Sequence, residues 1–272
     1  MCTLPVLFLL ASAAYVAPVQ FGDGLDAAEF IFGGKPVNAG EIPMLAVILF
    51  KDINGKPDSC GGSLISKTHV LTAAHCALEM KSNITVVVGV VNIHNLAGAQ
   101  FRNVSRIVVH PHYKNDTSLN HDIAILEVEN AVTLNANVRL AVLTKSDDTY
   151  GNGKQAVIAG FGTYKLAGKH SLRSPHLLSS NVTTLKTAAC KSILKKKFNE
   201  DIMCAEAMAR SLGDGDDGGP VFVVRPGRLI QIGIASDAES FKPQGQNRIV
   251  FTRISRYCGY ISDVTDGEAT CQ

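Results

Sequence analysis

From Ile31 onward, short apolar and β-branched runs alternate with polar stretches that favour turns. Met44–Phe50, Thr85–Val91, Ile107–His110, Ile123–Val128 and Ala156–Gly160 are each a few residues long and are separated by clusters rich in Gly, Asn and Asp. Runs of this length bounded by turn residues read as strands, and many of them in succession predict an all-β sandwich or barrel. Helical spacing occurs twice. Thr187–Lys197 carries Ala, Leu and Lys around Cys190, and Ile254–Val264 places Ile254, Cys258 and Ile261 on one face. No internal repeat or low-complexity segment interrupts the pattern.

The first residues have a different texture. Met1–Ala14 is almost uncharged, with an apolar run from Leu4 to Leu10 followed by Ala11-Ser12-Ala13, the form of a signal peptide over residues 1–14. That run is too short to anchor in a bilayer, and no later stretch reaches about 18 apolar residues. A secreted, extracellular product with no membrane anchor is expected. Tyr15–Phe30 is short, acidic and free of cysteine, consistent with a short propeptide at 15–30 ahead of a domain at 31–272.

Composition narrows the picture. The 272 residues are 46% hydrophobic, enough for one large or two small cores. A net charge of +2 is too small to point to nucleic acid or an anionic membrane. Lys191, Lys195, Lys196 and Lys197 read as a solvated face. If Cys2 leaves with the signal peptide, six cysteines remain: Cys60, Cys76, Cys190, Cys204, Cys258 and Cys271. An even set in a secretory context implies three disulfides. There is no Cys-x-x-Cys or His-x-x-x-His pair, so no metal or other cofactor is expected. Sequons at Asn83, Asn103, Asn115 and Asn181 make glycosylation an expectation.

Five segments carry chemistry. They are Ile31-Phe32-Gly33-Gly34, Cys60-Gly61-Gly62-Ser63-Leu64-Ile65, Leu71-Thr72-Ala73-Ala74-His75-Cys76, His121-Asp122-Ile123-Ala124-Ile125-Leu126 and Gly215-Asp216-Asp217-Gly218-Gly219-Pro220. In this order, with Gly160-Phe161-Gly162 and Phe251-Thr252-Arg253, they resemble the chymotrypsin/trypsin-like serine protease family over Ile31 to about Val264. The resemblance implies two six-stranded antiparallel β-barrels, at about 31–140 and 141–272, with a C-terminal helix and a site in the crevice between the barrels. It implies a catalytic pair of His75 and Asp122, and a mature N-terminus at Ile31 whose amine pairs with Asp216. It also implies disulfides Cys60–Cys76 and Cys190–Cys204. Cys258–Cys271 resembles an extra bridge seen in some invertebrate members.

Acyl transfer of this kind needs a nucleophile, an imidazole base and a buried carboxylate that fixes the imidazole tautomer. At the nucleophile position, where the family has Ser, this chain has Asp217. The glycines of the turn are kept, so the resemblance still places an oxyanion hole at the N–H groups of Gly215 and Asp217. A carboxylate attacking a peptide would form an anhydride opposite an amine leaving group, and an ionised Asp217 has no proton for His75 to remove. The hydrolytic reading fails here. Two arrangements of Asp217 are open: accepting the N–H groups of the hole, or pairing with His75 and raising its pKa.

The specificity pocket departs as well. By the resemblance its lining comprises Ser211, Ser236, Ala238 and Ile249, and the branched Ile249 replaces a glycine and fills the space. Gly213 replaces a cysteine that usually braces the pocket, and Asp237 replaces an aromatic. No Lys or Arg precedes Ile31, so release of that N-terminus would need a cut after Phe30 by an enzyme of chymotrypsin-like preference. Three functions follow: a homologue acting by binding proteases or protease inhibitors, as decoy, cofactor or host and immune interaction protein; an active serine endopeptidase of non-tryptic specificity; and a lectin-like or adhesion module.

Overall fold

A computed structural model describes residues 34–116, 119–147, 151, 153–167, 170–194, 199–208, 211–238 and 245–272. The expected leader at 1–14, the expected propeptide at 15–30, Ile31 and Lys195–Lys197 lie outside the described residues. In chain order the elements are β1 (Lys35–Pro36), β2 (Leu45–Lys51), β3 (Pro57–Leu64), β4 (His69–Thr72), α1 (Ala74–Glu79), β5 (Ser82–Val88), β6 (Gln100–Val109) and β7 (Ala124–Val128). They continue with β8 (Val142–Leu143), β9 (Gln155–Gly160), β10 (Thr163–Ala167), β11 (His170–Arg173), β12 (Leu178–Leu185), α2 (Thr187–Leu194) and β13 (Ile202–Met208). β14 (Pro220–Arg225), β15 (Arg228–Ala238), β16 (Gln246–Arg253) and α3 (Cys258–Val264) complete the set.

The strands form two closed six-stranded antiparallel barrels. The first runs β2-β3-β4-β7-β6-β5, with β5 returning to β2. The second runs β9-β12-β13-β16-β15-β14 and closes where β14 meets β9. Closure removes the exposed edges that an open sheet would present. Alternation sets which face turns inward: in β2, Ala46, Ile48 and Phe50 are buried while Leu49 and Lys51 are exposed. In β12, Leu178, Ser180, Val182 and Thr184 turn inward.

Both ends of the domain reach across to the other barrel. β1 pairs with β12 of the second barrel. After β16 a short 3₁₀ turn, Ile254–Arg256, leads into α3, and Ile254, Tyr257, Ile261 and Ala269 pack into the core of the first barrel. The helical face read over Ile254–Val264 is therefore broken at Tyr257 into two pieces. Three disulfides join Cys60 to Cys76, Cys190 to Cys204 and Cys258 to Cys271. Among the described residues, no helix is long and apolar enough to cross a membrane.

Candidate active site

The site lies where the barrels meet. Leaving β4, the chain enters α1 with His75 in its first turn, and Cys76 is tied to Cys60 of β3. Asp122 lies two residues before the start of β7, with its side chain wholly buried. Its Oδ2 lies 2.8 Å from His75 Nδ1, and its Oδ1 accepts the backbone N–H of His75 at 2.9 Å. The second bond satisfies one of the orphan N–H groups at the start of α1, so one carboxylate anchors both the ring and its backbone. From the second barrel, Thr252 Oγ1 donates to the carbonyl of Asp122 at 2.8 Å. Thr252 Oγ1 also lies 3.0 Å from Ser236 Oγ. A register shift between Ala235 and Asp237 re-aims β15 at that serine.

Opposite His75 stands the turn Gly213–Gly219. Gly215 and Gly218 have φ of +96° and +78°, values that favour glycine. Asp216 N–H donates to Gly213 O and Gly219 N–H to Asp216 O, both at 3.0 Å. Among the described residues, the N–H groups of Gly215 and Asp217 donate to no backbone carbonyl. The turn is stitched to the first barrel by Gly61 N–H donating to Asp217 O at 2.7 Å.

Asp216 points away from the cleft into a fully buried cradle. Its Oδ1 accepts Gly162 N–H at 2.7 Å and its Oδ2 accepts Gly213 N–H at 3.0 Å. A Cβ on Gly160 or Gly162 would meet the carboxylate at 2.0 and 2.5 Å, so the motif's glycines leave room for it. Burial lifts its pKa to about 7 against those two N–H groups, with the charge of Asp217 adding to the rise.

Neither expected arrangement of Asp217 forms among the described residues: its carboxylate accepts no N–H of the turn and makes no ion pair with His75, whose carboxylate partner is Asp122, and the two act on each other through charge. Burial raises the Asp217 pKa to about 6, offset by the charge of His75 and reinforced by Asp214, Asp122 and Asp237. For His75, burial pulls downward, but the hydrogen bond and charge of Asp122, then the charges of Asp217 and Glu79, outweigh it and lift the pKa to about 9. At neutral pH the centre is an imidazolium among carboxylates, and such an imidazole is a poor proton acceptor.

An NMR titration of the His75 ring should give a midpoint near 9, and Asp217→Asn should move it downward. The raised His75 pKa contributes stability that is complete below its ordinary value and is lost as pH rises through about 9. The buried carboxylates work in the other sense. They weaken the fold at neutral pH, and this is relieved as pH falls through about 7 for Asp216 and about 6 for Asp217.

The four expected pocket residues lie in or beside the second barrel. Ser211 and Ile249 are wholly buried and Ser236 nearly so, while Ala238 pairs directly with Ile249. Ile249 packs in the second barrel's core with Ala205, Leu212 and Phe251, and Ser211 Oγ is buried with no hydrogen-bond partner. At Gly213 a Cβ would sit 2.0 Å from Thr163 O, so a side chain there requires the chain at Thr163 to move. One feature had no sequence signal. Arg173 of β11 reaches across the barrels to Asp58 and to Ser59 Oγ, and its guanidinium carbon lies 3.2 Å from the place of a Gly215 Cβ.

This arrangement of two barrels, a histidine–aspartate pair and a glycine turn is matched by the trypsin family model over residues 31–261. The chain belongs to the trypsin family. Like this trypsin-family chain is chymotrypsin-like elastase family member 1 of Bos taurus, 30% identical over 239 residues, covering 86% of the chain and 88% of that protein. The Canis lupus familiaris counterpart is 34% identical over 216 residues, with 76% and 81% covered. A chymotrypsin of Phaedon cochleariae is 30% identical over 261 residues, covering 94% and 89%.

Proposed function

We propose that this trypsin-family chain is a secreted homologue that does not cleave peptides and acts by binding protein partners, proteases or protease inhibitors among them. The observation that carries this reading is Asp217 opposite His75. The turn has no hydroxyl to acylate, and the charge of Asp217 adds to the hydrogen bond and charge of Asp122 that keep His75 protonated. Loss of the serine from a comparable triad lowers kcat by about 10⁶, roughly 8 kcal/mol of barrier. The filled pocket supports the same reading, because Ile249 occupies space that a substrate side chain needs. Three disulfides and four exposed sequon asparagines, Asn83, Asn103, Asn115 and Asn181, fit an extracellular glycoprotein.

Maturation belongs to the proposal. A cut after Phe30 frees the amine of Ile31, which the family resemblance pairs with Asp216, a carboxylate that already accepts two backbone N–H groups. The testing experiment uses secreted chain, intact and cut after Phe30, with a fluorophosphonate probe and with elastase, chymotrypsin and trypsin peptide substrates. No labelling and no turnover in either form is expected. Labelling of the native sequence would establish the competing reading, an active endopeptidase of non-tryptic specificity, which the intact His75–Asp122 pair and the elastase relatives favour.

A further inference from the structure

Beside the candidate site, three imidazoles meet. His110, at the end of β6, stacks on His121 with ring centroids 4.9 Å apart and planes within 9°. His112 stands edge-on to both, 5.6 Å from His110 and 5.7 Å from His121. Tyr257 and Tyr260 enclose the His110 ring edge-on at 5.3 and 4.8 Å. His121 Nδ1 lies 3.1 Å from Tyr257 Oη and 3.4 Å from Asp201 Oδ2. His110 Nδ1 accepts the backbone N–H of His112 at 3.3 Å, which requires that nitrogen to be unprotonated. Parallel rings cannot both turn in-plane nitrogens toward one ion, and among the described residues no group of three is placed to hold a metal.

We propose that the His110–His112–His121 cluster is an acid-sensitive switch that loosens the support of Asp122 and His75 when its rings become charged. The coupling is short. His121 directly precedes Asp122 and has φ +59°, an uncommon left-handed conformation whose cost contacts with its surroundings offset. Those contacts are the stack on His110 and the approaches to Tyr257 and Asp201. His110 N–H donates to Ile123 O at 3.1 Å, so the cluster also borders Asp122 from the β6 side.

The groups facing His110 are His112 and His121 from its own side of the barrel, Tyr257 and Tyr260 from the C-terminal segment, and Asp201 from the turn before β13. Only Asp201 favours a charged ring, and it lies against His121. Burial lowers the His110 pKa, and the charges of His121 and His112 lower it further, against the weaker pull of Asp201. A depressed histidine pKa means that the unfolded chain takes up its proton first. Stability is therefore lost as pH falls through the ordinary histidine range.

The test compares Tm of the natural chain, His110→Phe and His112→Gln between about pH 7.5 and about pH 5, the interval in which histidines titrate. Asp216 and Asp217 push Tm upward in all three proteins as pH falls; against that shared rise the natural chain should end several degrees below His110→Phe, which keeps a ring in the stack, with His112→Gln between. These differences read the cluster apart from Asp216 and Asp217, which are present in all three proteins. In the same window the downfield Nδ1–H signal of His75 should broaden or shift in the natural chain and hold in His110→Phe. Equal pH slopes of Tm in all three, or His110 titrating at or above its ordinary value, would overturn the proposal. If His110→Phe fails to fold, His112→Gln and the His110 titration in the natural chain decide it.

Discussion

Asp217→Ser in chain cut after Phe30 should react with a fluorophosphonate while peptide cleavage stays at background. The two readouts separate because they need different parts of the site. The probe carries its own leaving group and needs only a hydroxyl, an imidazole of lower pKa and the N–H groups of the turn. Removing the Asp217 charge takes away one of the contributions holding the His75 pKa near 9. His75 and Asp122 already sit 2.8 Å apart. Labelling should rise at least about 10³-fold over the natural chain, a fraction of the roughly 10⁶ that a complete triad supplies. Peptide hydrolysis also needs a place for a substrate side chain, and Ile249, wholly buried, fills the pocket that the family resemblance implies. Adding Ile249→Gly should open the pocket at a cost of about 4 kcal/mol, the scale of a large-to-small core substitution. Cleavage of peptides by Asp217→Ser alone would show that the pocket is not the second barrier.

Gly61→Ala should be among the most damaging single-methyl changes in the protein. A Cβ at Gly61 would lie 2.6 Å from Gly219 Cα and 2.8 Å from Gly219 N, both backbone atoms with little freedom to yield. The two glycines touch where the first barrel meets the turn carrying Asp216 and Asp217, and the Gly61 N–H bond to Asp217 O crosses the same seam. Overpacking of this kind costs about 3 kcal/mol, which lowers Tm by roughly 6–12 °C in a domain of this size. Gly259→Ala is the control. That glycine lies in α3, has no atom within 4 Å of a Cβ and has no left-handed φ. There the same methyl should raise stability by about 0.5–1 kcal/mol through the better helix propensity of alanine. Thermal melts of the two variants should therefore move in opposite directions.

Much of the fold was legible because its strands alternate or run apolar and because five motifs occur in order. His75, Asp122 and the turn around Asp217 were readable from those motifs. The element boundaries show what the pattern misses. β6 extends over Gln100–Val109, whereas only Ile107–His110 stood out as apolar, because the first half of the strand is largely polar and exposed and is held by pairing with β5 and β7. The run Thr85–Val91 is cut at Val88, since Gly89 turns left-handed at φ +77°. The link from Arg173 to Asp58 spans 115 residues and leaves no local trace. Nor does sequence reveal that Gly61 rests on Gly219, because close approach of two backbones depends on how separate barrels dock.

The exchange of ends between barrels bears on how the chain acquires its structure. β1 belongs to the first half of the sequence yet pairs at Ser179, and Tyr260 Oη donates to Val108 O across 152 residues. Contacts so distant pay a large loop-closure entropy before they return any stabilisation, which slows folding. The first barrel cannot finish its core before Ile254, Tyr257, Ile261 and Ala269 reach it, and β12 loses a pairing partner without Lys35–Pro36. The first barrel should therefore be unable to complete its core on its own. Refolding should follow one slow cooperative transition, and a chain truncated before Ile254 should remain an incompletely packed intermediate.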